Sequence, residues 1–92
     1  MYNFAMSTEL VKDFQRYMSD NFTVTGVDKD KESKTYDLGN MYECVVYGKD
    51  ELSVYVYYKD TGKQAEEFEV DLESTREDIE FVKDMIKAKS EM

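Results

Sequence analysis

The chain has 92 residues, 41% of them hydrophobic and 36% charged, and it carries a formal net charge of −9. This length predicts one domain spanning residues 1–92, and the apolar and aromatic content is too high for a disordered chain. The negative charge disfavours direct binding to nucleic acid or to an anionic membrane, and it favours a basic partner surface. A role in solubility alone is the other explanation of the charge.

The first part of the chain predicts an amphipathic helix over residues 8–19. Ser7 is the expected N-cap of this helix, and Met6 is expected to contact Val11. Apolar residues at helical spacing form one stripe, which consists of Leu10, Val11, Phe14, Tyr17 and Met18. The N-terminus lacks a basic segment followed by an apolar run, so we expect no signal peptide and a cytoplasmic location.

The period of the hydrophobic pattern then changes to two, which is typical of strands. Strands are predicted over residues 22–27, 34–38, 41–47, 52–58 and 65–72. Short connections that contain glycine join the last four, and they predict antiparallel hairpins. If the connection after residue 38 is Gly39-Asn40, Tyr36 points outward, whereas a loop one residue longer turns Tyr36 inward. The sequence leaves this choice open, together with the position of the first strand in the sheet.

Two connections predict strand registers. An Asp-Thr-Gly loop makes Lys59 and Lys63 the closing pair of the last hairpin, and a Gly-Lys-Asp loop pairs Val46 with Leu52. Both registers place the same alternating apolar residues on the inner side of the sheet, and this agreement supports the assignment of the two faces.

The last part of the chain predicts a second helix, over residues 75–89. Ser74 and Glu77 match the spacing of a capping box. The helix is expected to bury Ile79, Val82, Met85 and Ile86, with Phe81 at the edge of this stripe. The element order is therefore α-β-β-β-β-β-α. We predict an α+β fold, an antiparallel meander of four to five strands flanked by an N-terminal and a C-terminal helix that pack on one face.

The opposite face of the predicted sheet combines tyrosines with carboxylates. A sequence shaped for stability alone tends to intersperse opposite charges, because like charges that face each other across strands are destabilising. Tyrosine is enriched at interfaces, since it offers contact area and a polar tip. We predict a partner-binding surface made of Glu43, Tyr47, Glu51, Tyr55, Tyr57, Glu67, Glu69 and Asp71. A solvated sheet face, in which tyrosine is only a good strand former, is the alternative.

The second helix carries a further acidic stripe. Its members are Glu73, Glu77, Glu80 and Asp84. Because Arg76, Lys83 and Lys87 lie close enough to neutralise part of the stripe, a solvated helix face is the favoured explanation, and the stripe is a secondary candidate.

The composition argues against catalysis. The chain has no histidine, so Ser-His and Cys-His dyads are excluded, as is the commonest transition-metal ligand. Cys44 falls on the predicted core face. The acidic run from Asp28 resembles the start of a calcium loop, but it has Ser33 and Gly39 where such a loop needs glycine and glutamate. We therefore expect no catalytic residues, no metal and no cofactor.

In size, charge, lack of catalytic groups and an acidic sheet, the chain resembles small acidic phage-encoded inhibitors, including anti-CRISPR proteins and other DNA mimics. The resemblance implies a non-catalytic inhibitor that occupies the nucleic-acid site of a basic protein in a bacterial host cell. It rests on no shared motif, so it assigns no role to any residue. Two alternatives stay open: an immunity or antitoxin protein that neutralises a basic toxin, and a self-associating structural module with Met41, Tyr55 and Tyr57 at a homodimer seam.

Overall fold

The computed structural model describes the backbone of residues 2–92 and the side chains of residues 8–92. Its elements are helix α1 (Tyr2–Asn21), strands β1 (Thr23–Asp28), β2 (Ser33–Asp37), β3 (Tyr42–Tyr47), β4 (Leu52–Tyr58) and β5 (Gln64–Val70), and helix α2 (Arg76–Ser90). The strands form one antiparallel sheet in the order β1-β2-β3-β4-β5. The predicted α+β meander is confirmed, and β1 is an edge strand beside β2.

Both helices pack on the same face of the sheet. The buried residues of α1 (Val11, Phe14, Met18) and of α2 (Ile79, Val82, Ile86) belong to one core cluster with the inward residues of the strands. Buried and half-buried positions alternate along β3 and over residues 52–57 of β4, as the pleat of a strand requires. Burial of each large aliphatic or aromatic side chain in this cluster contributes about 1.5–3 kcal/mol, and this contribution fixes which face is covered.

Helix α1 begins earlier than predicted. It starts at Tyr2, so the backbone of Ser7 is already helical and the predicted N-cap at this residue is wrong. The predicted contact of Met6 with Val11 involves a side chain outside those that the structure describes. Leu10 and Tyr17 lie at the border of the predicted stripe and are partly buried against the core.

The cap of α2 lies one residue later than predicted. Thr75 is the N-cap: its hydroxyl accepts from the Asp78 N–H at 3.1 Å, and its own N–H donates to the Asp78 carboxylate at 3.0 Å. Ser74 is engaged in the preceding turn, where its hydroxyl accepts from the Asp71 N–H at 3.0 Å. The capping box therefore has the predicted spacing but uses Thr75 and Asp78 rather than Ser74 and Glu77.

The β2–β3 connection is the longer of the two possibilities left open by the sequence. The Leu38 N–H donates to the Tyr42 carbonyl at 3.2 Å, so the loop consists of Gly39, Asn40 and Met41. Tyr36 consequently points inward and is only 2% exposed. Asp37, its neighbour, points to the opposite face.

The β3–β4 register differs from the predicted one by two residues. Val46 pairs with Val54 rather than with Leu52, and the last pair of the hairpin is Tyr47 with Ser53. The Gly48 N–H donates to the Glu32 carbonyl at 2.8 Å. Gly48 therefore continues the hydrogen bonding between β3 and the β2 side of the sheet, and it does not close the β3–β4 hairpin. Gly48 has a φ of 105°, and a Cβ there would lie 2.1 Å from the Glu51 carbonyl oxygen, so only glycine fits. A shift of two residues leaves every side chain on its predicted face.

The β4–β5 register is confirmed over most of its length. Val54 pairs with Phe68 and Leu52 with Val70, whereas an irregularity after Val56 shifts the remaining pairs. The Tyr58 N–H donates to the Lys63 carbonyl at 2.9 Å, so the predicted closing pair of Lys59 with Lys63 is wrong. The bulge lengthens the turn by one residue and leaves the core face unchanged.

No helix in the described part of the chain combines the length and the apolar character needed to cross a bilayer.

Candidate functional site

The sheet face opposite the helices carries tyrosines beside carboxylates. We define the tyrosine–carboxylate face by Glu43 and Tyr47 of β3, Tyr55 and Tyr57 of β4, and Glu67 and Glu69 of β5. These six are among the eight residues predicted for partner binding. Their positions alternate with buried core residues of the same strands, so the pleat directs them away from α1 and α2.

The true registers change which of these residues are neighbours. Across β3, β4 and β5 the rows are Glu43–Tyr57–Gln64, Val45–Tyr55–Glu67 and Tyr47–Ser53–Glu69. The sequence-based registers instead set Glu43 beside Tyr55 and Met41 beside Tyr57, and both of these pairings are wrong. The change brings Glu43 next to Tyr57, and it leaves Tyr55 beside Glu67 as predicted.

Two of the predicted residues lie outside the face. Glu51 belongs to the exposed β3–β4 connection, and Asp71 follows the end of β5. The Asp71 carboxylate accepts from the Glu73 N–H at 2.9 Å and from the Ser74 hydroxyl at 3.3 Å, so it stabilises the turn that leads to α2. The registers predicted from the sequence would align Tyr47, Glu51 and Asp71 in one row, and this alignment is wrong.

The three tyrosines form a continuous aromatic surface. The Tyr47 and Tyr55 rings meet edge to face with centroids 5.7 Å apart, and the Tyr55 and Tyr57 rings stack at 6.2 Å. Each such pair contributes about 0.5–1.5 kcal/mol beyond the burial of area, so the rings hold one another in place. Partial burial raises the pKa of Tyr57, and Tyr47, Tyr55 and Glu67 raise it further, so its hydroxyl is a neutral donor at physiological pH.

The carboxylates of the face have only weak partners. Glu69 accepts from the Ser53 hydroxyl at 3.3 Å, and Glu67 accepts from the Gln64 amide at 3.4 Å. Among the ion pairs of the described residues, none includes Glu43, Glu67 or Glu69. These charges are therefore free for an external cation, and a partner that removed their water without supplying one would lose binding energy.

Asp37 is a further carboxylate on this side of the sheet, but it lies beside the tyrosine–carboxylate face and not within it. It lies directly across the ladder from Glu43, and its carboxylate pairs with Lys59 Nζ at 2.5 Å. The Lys59 hydrogen bond, with the Gly39 N–H second, holds the pKa of Asp37 below its usual value. Sequence reasoning missed this residue because the β2–β3 loop length was open, although the longer loop places it on the outer side.

The acidic stripe of α2 is shorter than predicted. Glu77, Glu80 and Asp84 are exposed on the helix, but Glu73 precedes it in the turn. Glu80 pairs with Lys83 at 3.2 Å, and Lys83 Nζ in turn lies 5.3 Å from the centroid of the Tyr17 ring. Part of this stripe is thus neutralised within the protein, unlike the carboxylates of the tyrosine–carboxylate face.

The remaining chemistry offers little reactivity. Burial raises the pKa of the Cys44 thiol to about 12, so the thiol stays protonated and is a poor nucleophile. Within residues 8–92, no group of three or more Cys, Asp or Glu side chains could hold a metal ion.

A groove of about 550 Å³ lies on the helix side of the sheet, between α1 and the β1 edge. Met18, Tyr36 and Val46 contribute apolar surface to it, and Val27 belongs to its β1 wall. It is on the opposite side of the sheet from the tyrosine–carboxylate face.

No protein-family model, no curated protein and no solved structure matches this chain.

Proposed function

We propose that this protein is a non-catalytic inhibitor that binds a basic, nucleic-acid-handling protein through the tyrosine–carboxylate face and occupies its nucleic-acid site. The observation that carries the proposal is the set of three packed tyrosines, flanked by carboxylates that have no cation of their own. In size, charge, lack of catalytic groups and an acidic sheet, the chain resembles DNA-mimic inhibitors such as anti-CRISPR proteins.

Electrostatics supports a basic partner. Glu43, Glu67 and Glu69 lie on one surface of a protein with a net charge of −9, so the local field adds to the overall one. A site built to bind phosphates presents Lys and Arg side chains, and carboxylates can take the place of phosphates there. Opposite charge accelerates encounter and makes the complex sensitive to salt.

The tyrosines are expected to supply binding energy that the exposed carboxylates alone do not. Exposed carboxylates screened by water give little net affinity, whereas packed aromatic rings bury large areas at low entropic cost. Tyr55 lies at the centre of the face, between Tyr47 and Tyr57, where a partner would exclude water most completely. We expect Tyr55 to be the main energetic anchor, surrounded by the carboxylates.

The same surface also suits an antitoxin or immunity protein, because a basic toxin site presents similar chemistry. Competition separates the two functions. A nucleic-acid mimic is displaced from its target by nucleic acid, whereas an antitoxin for a toxin that acts on another substrate is not displaced.

We predict that reversal of charge at Glu67→Lys and Glu69→Lys abolishes partner binding. The immobilised wild-type protein is used to capture proteins from a bacterial lysate, the captured proteins are identified by mass spectrometry, and Kd is then measured for the purified target. We expect a target that duplex nucleic acid displaces, and a loss of at least about 30-fold in Kd, equivalent to about 2 kcal/mol, in the double variant. Thermal unfolding should be nearly unchanged, because both side chains are exposed.

The matched control is Glu77→Lys with Asp84→Lys, which makes the same change of charge on α2. This control should bind with nearly wild-type affinity. If it loses binding while the face variant retains it, the secondary acidic stripe is the site and the proposed face is wrong. Unchanged affinity in both variants contradicts an acidic binding surface altogether.

A further inference from the structure

The groove between α1 and the β1 edge has the size of a small-molecule site. Its volume of about 550 Å³ falls within the roughly 300–1,000 Å³ that is usual for ligand pockets. Gln15 and Met18 of α1 form one wall, and the Gln15 amide donates to the Lys49 carbonyl at 3.4 Å, which ties this wall to the β3–β4 connection. Val27 of β1, on the opposite wall, is 59% exposed. The groove therefore has walls on two sides and apolar surface that is still open to water.

A lysine lies within an apolar row of this groove. The strand registers place Lys34 between Val27 of β1 and Val46 of β3, on the helix side of the sheet. Lys34 has no ion pair among the described residues. An inward-pointing charge can block pairing with another strand, but that role belongs to an edge strand, and Lys34 is in β2. Its ammonium group is therefore available to an anion that enters the groove.

The Tyr36 hydroxyl also opens into the groove. Tyr36 lies two residues after Lys34 on the same face of β2, and only 2% of its surface is exposed. Its hydroxyl makes no hydrogen bond with the described residues, yet no described side-chain oxygen is both unbonded and sealed from solvent. Because Tyr36 belongs to the groove lining, its oxygen is reached from the groove. A buried hydroxyl of this kind needs water or a ligand as its hydrogen-bond partner.

The charged groups around the groove favour an anion over a cation. Its lining holds three lysines and two carboxylates, so the local charge is positive although the whole chain has a net charge of −9. Both carboxylates are engaged: Glu32 pairs with Lys49 at 3.3 Å, and Asp28 accepts from the Lys31 N–H at 3.1 Å. At physiological salt the Debye length is about 8 Å, so an anion in the groove interacts more strongly with these nearby lysines than with the carboxylates on the other side of the sheet.

We propose that the groove binds a small organic anion, a carboxylate with an apolar body. The Lys34 ammonium group and the Tyr36 hydroxyl hold the carboxylate, since the Cα atoms of these residues lie about 7 Å apart on one face of a strand. The apolar body covers Met18, Val27 and Val46. A neutral ligand would leave Lys34 without a counter-ion, and a cation would be repelled by it. This inference goes beyond the proposed function, because the groove lies on the opposite side of the sheet from the tyrosine–carboxylate face.

Octanoate and octyltrimethylammonium test the sign of the charge, because they share one alkyl chain and carry opposite charges. Each is added to the isotope-labelled protein up to about 3 mM at constant ionic strength, and the amide resonances are followed by NMR. We expect octanoate to shift the resonances of Lys34, Tyr36 and Val46 with a Kd on the order of 1 mM, and octyltrimethylammonium to leave them unchanged. A cation that binds the groove as tightly as octanoate, or octanoate that shifts none of these resonances, overturns the proposal.

Lys34→Met separates the charge from the apolar contact, because methionine retains an unbranched apolar side chain without the ammonium group. We expect octanoate to bind this variant about fivefold more weakly, and 1-octanol, which has no charge, to bind it no more weakly than it binds the wild type. Lys63→Met makes the same change of charge at an exposed site in the β4–β5 turn, outside the groove, and should bind octanoate like the wild type. If Lys34→Met and Lys63→Met bind octanoate equally well, Lys34 is not the anion contact and the proposal is wrong.

Tyr36→Phe removes the hydroxyl and keeps the ring that packs in the core. Octanoate should bind this variant about threefold more weakly, because the carboxylate loses one hydrogen bond. The melting temperature should stay unchanged, since the hydroxyl makes no hydrogen bond with the described residues. An unchanged Kd, or a lower melting temperature, contradicts a hydroxyl that is open to the groove.

The groove and the tyrosine–carboxylate face can fail separately. Glu67→Lys with Glu69→Lys should lose the target and bind octanoate like the wild type, since both residues point away from the helix side of the sheet. Lys34→Met should lose affinity for octanoate and retain the target.

Discussion

A single ion pair distinguishes two neighbouring carboxylates of the sheet. Asp37 and Glu43 face each other across β2 and β3, yet only Asp37 has a cation, because Lys59 at the start of the β4–β5 turn reaches it. The Lys59 hydrogen bond and the Gly39 N–H lower the pKa of Asp37. Glu43 has no ion pair among the described residues, so it is grouped with the proposed binding surface, whereas the Asp37 ion pair links two parts of the sheet.

We predict that Lys59→Met raises the pKa of Asp37 toward its usual value of 3.8. The folded-state pKa of the wild type lies below the unfolded value, so the pair contributes stability above pH 3.8 that is lost as the pH falls through the folded-state pKa. The Asp37 carboxyl ¹³C shift, followed by NMR during acid titration, measures the change. Lys63→Met is the control, because Lys63 lies in the same turn without an ion pair among the described residues. An Asp37 pKa that is the same in both variants contradicts the role of Lys59.

At the scale of the elements, alternation predicts faces better than it predicts registers. The faces of β3, β4 and β5 followed from the sequence because a register error of two residues moves no side chain through the sheet. The β3–β4 register did not follow, since it depends on whether the Gly48 N–H bonds across the hairpin or to Glu32, a residue outside that hairpin. Six of the eight predicted residues therefore lie on the expected face of the sheet, whereas Glu51 and Asp71 lie outside it.

The N-cap of α2 likewise could not be assigned correctly from the sequence. Ser74 and Thr75 are adjacent, and each precedes an acidic residue at the spacing of a capping box. The Asp71 backbone decides between them, because its N–H donates to the Ser74 hydroxyl and leaves Thr75 to cap the helix. The sequence pattern alone does not show that the Ser74 hydroxyl is already engaged by the Asp71 N–H.

We predict that Thr75→Ala destabilises the protein by about 1 kcal/mol, because the Asp78 N–H loses its acceptor at the helix start. For a domain of this size the melting temperature should fall by about 4–8 °C. Thermal unfolding followed by circular dichroism measures the shift. Ser19→Ala, at an exposed position of α1, is the control and should change the melting temperature little. A shift for Thr75→Ala no larger than that of the control would show that the cap is dispensable.

At the scale of the whole molecule, negative charge is distributed unevenly. The tyrosine–carboxylate face has no internal ion pair, whereas the described lysines at residues 49, 59, 83 and 89 pair with carboxylates elsewhere. Repulsion among the carboxylates of this face is expected to lower the stability of the folded state.

We predict that salt stabilises this protein. Raising NaCl from about 10 mM to about 100 mM shortens the Debye length from about 30 Å to about 10 Å and screens the repulsion. A gain of about 0.5 kcal/mol should raise the melting temperature by about 2–4 °C. Differential scanning calorimetry measures the shift, and it should be smaller in the variant with Glu67→Gln and Glu69→Gln.

Asp50→Asn with Asp60→Asn is the matched control, because it removes the same charge from two exposed loops. This control should keep most of the salt response of the wild type. If the two double variants respond equally, the repulsion is a property of total charge and is not concentrated on the face.

The order of the strands in the sheet is also the order in which a ribosome makes them. Each strand can pair with the one before it as soon as it emerges, so most of the sheet assembles during synthesis. Helix α1 is completed first, but the strands that cover Val11, Phe14 and Met18 come later in the chain. Its apolar stripe is therefore uncovered until the middle strands have been translated, and this interval is when the nascent chain is most open to chaperones.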